Sequence, residues 1–151
     1  MLKLIKSVDD AVEFSRLVRG IHFFSALNIA LLEKVLACVL LYKYKSGEKV
    51  CRQGEAGDSC YVVRRGRLSV ELDGGLWRFS KKIAELGPGS FFGEMALLAR
   101  QPRSATVICR EETELFVILA DSFRAVVSQN PAFRAEIKQL IAERNFELTG
   151  K

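Results

Sequence analysis

Two periods divide the chain. Over residues 8–18 (VDDAVEFSRLV) the apolar positions Val8, Val12, Phe14, Leu17 and Val18 recur at rough helical spacing. Asp9 and Asp10 fall in the first turn, where carboxylates suit the helix dipole. Gly20 closes that helix. A second helix is expected from about Asn28 to Cys38, with Leu31, Leu32, Val35 and Leu36 as one stripe. Phe23, Phe24 and Leu27 between the two read as core. From Val39 the period shortens to that of strands: Leu41, Lys43 and Lys45 alternate with Tyr42 and Tyr44. Further strands are expected at Glu48–Arg52, Ser59–Arg65, Arg67–Leu72, Leu76–Leu86, Ser104–Cys109 and Glu114–Leu119. In Arg67–Leu72 the alternation puts Leu68, Val70 and Leu72 on one face and Arg67, Ser69 and Glu71 on the other. Glycine-rich corners separate the strands at Ser46-Gly47, Gln53–Asp58, Gly66 and Asp73-Gly74-Gly75.

After Leu119 the helical period returns. Asp121 is expected to cap a helix over Ser122–Ser128, and Pro131 to open a final helix. That helix places Phe133, Ile137, Leu140, Ile141 and Leu148 on one face. At ~100° per residue Arg144 falls within roughly 20° of Phe133, so a cation interrupts the apolar stripe. A snorkelling side chain and a lid stacking on a flat ligand both fit that position. The pattern as a whole predicts a mainly β protein with flanking helices: a sandwich, a jelly roll or a small barrel.

Composition narrows the chemistry more than the fold. The 151 residues include one histidine, His22, which argues against a histidine-built metal site or a Ser–His or Cys–His catalytic pair. Neither a catalytic residue, a metal ligand nor a cofactor is assigned. Cys38, Cys51, Cys60 and Cys109 form no C-x-x-C pair and read as buried reduced thiols. The net charge of +5 is carried by scattered basic residues, without a basic helix or zinc-finger spacing. The longest apolar run, Val35–Tyr42, is too short for a bilayer, and the N-terminus lacks an apolar signal core. The expectation is a cytoplasmic protein with no membrane segment.

Candidate chemistry is concentrated in residues 87–107, GPGSFFGEMALLARQPRSATV. Glycines precede Glu94, a short apolar helical turn follows it, and Arg103 comes nine residues after the acid, behind Pro102. Backbone N–H groups at the start of a helical turn and one arginine suit a small anion. A carboxylate at the other end suits a hydroxyl donor. The layout fits an anion that also carries a polyol.

With these residues the chain resembles the cyclic-nucleotide-binding domain family, which includes catabolite activator protein, the regulatory subunits of protein kinase A and cyclic-nucleotide-gated channels. The resemblance runs from about Phe23 to Arg144. It rests on Gly47-Glu48, Gly54-Glu55-Ala56-Gly57-Asp58, Tyr61-Val62-Val63 with Gly66-Arg67-Leu68, and above all Phe92–Leu97 with Pro102–Val107. The last pair is similar to the family's phosphate-binding cassette. The resemblance implies a double-stranded β-helix (jelly-roll) barrel with N-terminal helices and two C-terminal helices. The parts would be a helical segment 1–38, a barrel 39–120 and hinge and lid helices 121–151. It implies that Glu94 accepts from the ribose 2′-hydroxyl, helped by the Gly93 backbone, and that Arg103 partners the cyclic phosphate. The N–H groups of Ala96 and Ser104 would add donors, Met95 and Val70 would line the base, and Arg144 matches a position that covers the base in some members.

The expected ligand is cyclic AMP, with cyclic GMP as the alternative because Ser104 carries a hydroxyl. Docking phosphate-first, it would draw Asp121–Leu148 over the base. The sequence departs from the pattern at Ala99-Arg100-Gln101, where a glycine is common. No helix-turn-helix, transmembrane segment, pseudosubstrate segment or second cassette is visible, so a free-standing sensor is expected. Its output would be an unidentified protein partner or a homodimer, and no DNA-binding domain is expected. A cupin-type enzyme would need several histidines, and an interaction module with a vestigial pocket sits poorly with an intact Glu94 and Arg103.

Overall fold

Ser7 begins the first helix by a reciprocal cap. In the computed structural model, which describes residues 1–25, 27–73, 81–97, 101–131, 133–139 and 142 (the side chains of 22 and 23 excepted), α1 spans Val8–Val18. The Asp10 N–H donates to Ser7 Oγ at 3.2 Å, and the Ser7 N–H donates to Asp10 Oδ2 at 2.8 Å. That second bond, opposed by burial and helped by the Ser7 hydroxyl and the Arg64 charge, holds the Asp10 carboxyl below its ordinary range. A short helix α2, His22–Ser25, and α3, Ile29–Ala37, follow. Asn28 caps α3 through its side chain, which accepts from the Leu31 N–H at 2.8 Å.

Among the described residues, nine strands build two antiparallel sheets. They are β1 (Leu2–Leu4), β2 (Val39–Tyr44), β3 (Lys49–Cys51), β4 (Ser59–Arg65), β5 (Leu68–Leu72), β6 (Lys81–Leu86), β7 (Phe91–Phe92), β8 (Thr106–Cys109) and β9 (Thr113–Leu119). One sheet has the order β1-β2-β9-β4-β7 and the other β3-β8-β5-β6. This is the jelly-roll arrangement with flanking helices that the sequence implies. Two of its strands are not visible in the pattern: β1, which pairs Leu2 with Lys43 and Leu4 with Leu41, and β7.

Strand alternation splits the core in two. Val39 and Leu41, Cys60 and Val62, Phe91, and Phe116 and Ile118 face a cluster shared with the helices. Their neighbours Tyr44, Tyr61, Val63, Leu115 and Val117 face the barrel interior, with Cys51, Leu68, Val107 and Cys109 from the other sheet. The five-stranded sheet is therefore buried on both faces, which explains the unbroken apolar run at the start of β4. Phe24 and Leu27 enter the helix-side cluster, as expected of them. None of the four cysteines is in a disulfide.

Three expectations need correcting. Leu72, expected on the inward face with Leu68 and Val70, is exposed. Val70 pairs with Ala84 but Glu71 with Lys82, so Ile83 is an extra residue that bulges β6, and Leu72 lies one residue past the stretch of β5 that pairs with β8. Ser69, predicted to face out, is fully buried, because Arg110 covers it and donates to its Oγ from Nε at 2.7 Å. Asp121 is not a cap either. The helix α4 spans Ala120–Ser128 and starts directly from β9, with Leu119 in the cap position and no side-chain cap. The Ala120 N–H is satisfied instead by the Asp58 carbonyl at 2.8 Å. Beyond α4, Pro131 and residues 133–139 are helical, and Phe133 and Ile137 join the helix-side cluster as expected. Leu140, Ile141, Arg144 and Leu148 lie outside the described residues.

Arg64 ties α1 to the barrel. Its guanidinium contacts Asp10 at 2.9 Å, Glu13 at 3.0 Å and Glu114 at 2.9 Å, and it lies 6.0 Å from the Phe116 ring centre.

Candidate functional site

The site forms where two loops are stitched together. Residues 54–57 pair with 101–103: the Gly54 N–H donates to the Arg103 carbonyl at 2.9 Å, the Arg103 N–H to Glu55 at 2.7 Å and the Gly57 N–H to Gln101 at 3.0 Å. Arg103 is thus fixed by its backbone before its side chain is considered. The side chain turns inward and is 11% exposed. Its Nη2 donates to the Ser59 carbonyl at 2.8 Å, the guanidinium lies 5.7 Å from the Tyr61 ring centre, and Asp58 Oδ1 is 4.0 Å away. Phe92 stacks on the other partner of this contact, with ring centres of Tyr61 and Phe92 4.9 Å apart.

The acid half of the motif comes to the same place. β7 leads into Gly93, whose φ of +81° turns the chain into a single 3₁₀ turn, Glu94–Leu97. Only glycine takes that φ without strain. A methyl group on Gly93 would lie 2.8 Å from Arg103 Nη1 and 3.1 Å from the Ser59 carbonyl oxygen. One on Gly57 would lie 3.2 Å from both the Ala96 Cβ and the Arg103 guanidinium. So Gly93, Ala96 and Arg103 converge around Gly57 and Ser59. Glu94 is 5% exposed, and the Ala96 N–H donates to the Gly93 carbonyl at 3.2 Å.

The other predicted site residues are placed less centrally. Met95 is half-buried against the helix-side cluster, on the opposite side of the sheet from the half-buried Val70 in the barrel interior. Val70 pairs with Val107, on the strand that leaves the cassette. Ser104 is exposed. Arg144 lies outside the described residues. The sequence reading did not assign site roles to Gly57, Asp58, Ser59 or Tyr61. The Gly-Glu-Ala-Gly-Asp turn that contains two of them was legible as a turn, but nothing local signals its pairing with residues 101–103.

A cleft of about 450 Å³ opens at Arg103, lined by Tyr42, Tyr44, Cys51, Ser59 and Tyr61 among others, with Glu94 outside its lining. Its rim is charged, with Glu48, Lys49, Arg52, Glu55 and Asp58, while the tyrosines and the cysteine stay neutral. Burial pushes the Tyr61 hydroxyl up to about 12 and raises the Cys51 thiol despite the nearby Arg103. Ser59 Oγ sits 2.9 Å from both Asp58 Oδ1 and Tyr61 Oη. Its one proton goes to the carboxylate, so the tyrosine donates to Ser59. The inward-turned cation of this cleft is the Arg103 guanidinium, 11% exposed, which can neutralise one anionic group.

Replacing Gly93 with alanine forces both the φ and the close approach. It is expected to lower stability by about 1–3 kcal/mol and to displace Arg103. Thermal melting measures the first effect. Titration with a small anionic ligand measures the second, for which at least a tenfold loss of affinity is expected.

An inward-turned arginine and a buried acid on a single helical turn are thus brought together in a jelly roll. The chain belongs to the family described as "Cyclic nucleotide-binding domain", whose model matches residues 41–130. It is 33% identical over 135 residues to a cyclic nucleotide-gated potassium channel of Rhizobium etli, covering 89% of this chain and 36% of that protein's length. The fold is similar to the regulatory domain of Toxoplasma gondii protein kinase A solved with cyclic AMP, with a TM-score of 0.75 and 21% identity over 91% of this chain and 50% of that one. It is equally similar to the N-terminal domain of a transcriptional regulator from Streptomyces coelicolor, with a TM-score of 0.75 and 22% identity over 89% of this chain and 93% of that domain. No described helix is long and apolar enough to cross a membrane.

Proposed function

We propose that the chain binds a cyclic nucleotide, cyclic AMP in preference to cyclic GMP, and signals its occupancy to a protein partner or a second copy in the cytoplasm. The observation that carries this reading is the convergence of Gly93, Ala96 and Arg103, with Glu94 buried at the start of the same turn. A cyclic phosphate is a monoanion, so one guanidinium balances it, and a charge-assisted bond of this kind contributes about 1.5–3 kcal/mol. Glu94 accepts from the ribose 2′-hydroxyl, the Ser104 N–H adds a donor, and Val70 meets the base. The segment 121–148 closes over the base, with Arg144 as the covering cation. Only contacts made in the closed state can drive that closure. Support comes also from relatives named for cyclic nucleotides, whose outputs differ: a channel and a kinase regulatory domain.

Calorimetric titration with cyclic AMP, in competition with cyclic GMP, tests the ligand. Binding of cyclic AMP with the higher affinity is expected. Absence of heat from both nucleotides at millimolar concentration would sink the reading. Hydrogen exchange across residues 121–148 should slow on saturation.

A further inference from the structure

Resting on the nucleotide-binding reading, we infer that Arg124 is the positioning residue that transmits the state of the cassette to α4. Its Nη2 donates to the Ala96 carbonyl at 2.9 Å, a charge-assisted bond from α4 to the turn that begins with Glu94. The bond joins segments 28 residues apart. The alternative partner of Arg124 counts for little: Asp121 Oδ1 is 3.4 Å away and the Asp121 side chain is 75% exposed, so that pair is weak and screened. The Arg124 Nε is buried and has no hydrogen-bond partner among the described residues. The guanidinium is therefore committed to the cassette while one of its donors stays unmatched.

A second link runs from the other end of the same helix. The Ala120 N–H donates to the Asp58 carbonyl, and the next residue, Ser59, offers its carbonyl to Arg103. α4 is thus joined to the acid half of the site through Arg124 and to the arginine half through Ala120. Phe123 and Val127, buried with Leu97 in one cluster, complete the contact. A shift of the Glu94–Leu97 turn onto a phosphate and ribose moves the Ala96 carbonyl. Arg124 must then carry α4 along or lose its bond, so the cassette and the helix cannot change position independently. Linkage makes the effect mutual: whatever α4 does to the cassette, the ligand does to α4. Arg124 is placed in no ligand contact, so it acts through position alone.

The test compares the full chain with Arg124→Met by hydrogen exchange and calorimetry, each with and without saturating cyclic AMP. Without ligand, exchange over Ala120–Ser128 should be at least tenfold faster in Arg124→Met, with β4 and β9 unchanged. With ligand, the unaltered chain should show at least a tenfold change over the same residues and the variant less than threefold, while both still give binding heat. A merely structural role would alter melting but leave that ligand-dependent difference intact. If Arg124→Met binds cyclic AMP and keeps the full change, the inference is overturned. The same holds if α4 exchange without ligand is unaltered, or if the unaltered chain binds cyclic AMP with no change in α4. If no nucleotide gives heat with the unaltered chain, the binding reading falls and the coupling with it. Should the methionine variant not fold, Arg124→Gln, too short to reach Ala96, is measured against the same outcomes.

Discussion

Arg103→Leu is expected to weaken cyclic AMP binding by about 2–5 kcal/mol, roughly 30- to 4,000-fold, while leaving the protein folded. The large term is the uncompensated phosphate. Leucine offers no charge in a cleft whose tyrosine and cysteine walls stay neutral, so the anion would be desolvated without a partner. The stability term is smaller than the upper end of that range: the side chain gives up one charge-assisted hydrogen bond, to the Ser59 carbonyl, worth about 1.5–3 kcal/mol, and its approach to the Tyr61 ring. The backbone bonds of Arg103 to Gly54 and Glu55 do not involve the side chain. Calorimetry and melting on the same sample separate the two. An affinity loss under threefold would show that the phosphate is held elsewhere.

The largest expected effect on stability comes from Arg64→Met. Arg64 is 14% exposed and faces Asp10, Glu13 and Glu114 at once. Removing the cation leaves Asp10 and Glu114 largely buried without their guanidinium; Asp10 keeps its bond from the Ser7 N–H and Glu114 a 3.4 Å contact from Arg65. Breaking a buried pair from one side costs about 3–5 kcal/mol. The lower figure corresponds to a fall in Tm of roughly 6–12 °C at this size. By contrast, the exposed pair Lys43–Glu112 should contribute under about 1 kcal/mol, so Lys43→Met is the control. Equal melting of the two variants would mean that the Arg64 cluster does not anchor α1.

Elements with a local signature were legible in the sequence. α1, α3, β2, β4 and β9 are long enough for periodicity to show, and their observed bounds fall within about two residues of the expected ones. β1 and β7 have three and two residues, too few for any period, and exist because distant partners fix them. Asp121 was misread because a cap is only needed where a helix start lacks a partner. Here the Asp58 carbonyl, 62 positions earlier, supplies it for Ala120. Leu72 is exposed because β5 runs one residue past its pairing with β8, and where a pairing ends is not written in the alternation of one strand. For the site, Glu94 and Arg103 stand out through their spacing. The Ser59 carbonyl, the Tyr61 ring and Gly57 do not, since a backbone oxygen, a ring face and a missing side chain leave no pattern in a string of letters.

The five-stranded sheet is buried on both faces, and the four-stranded sheet is not: β6 shows solvent almost along its length. Such a pair behaves as a back plate and a shutter. Amides of β4 and β9 should open only with the whole molecule, and those of β5 and β6 at a lower cost. The cassette glycine hangs from the back plate through β7, whereas Val70 and the strand after Arg103 belong to the shutter. A nucleotide gripped by both would rivet the weaker sheet to the stronger, and the shutter would gain most of the protection that binding confers.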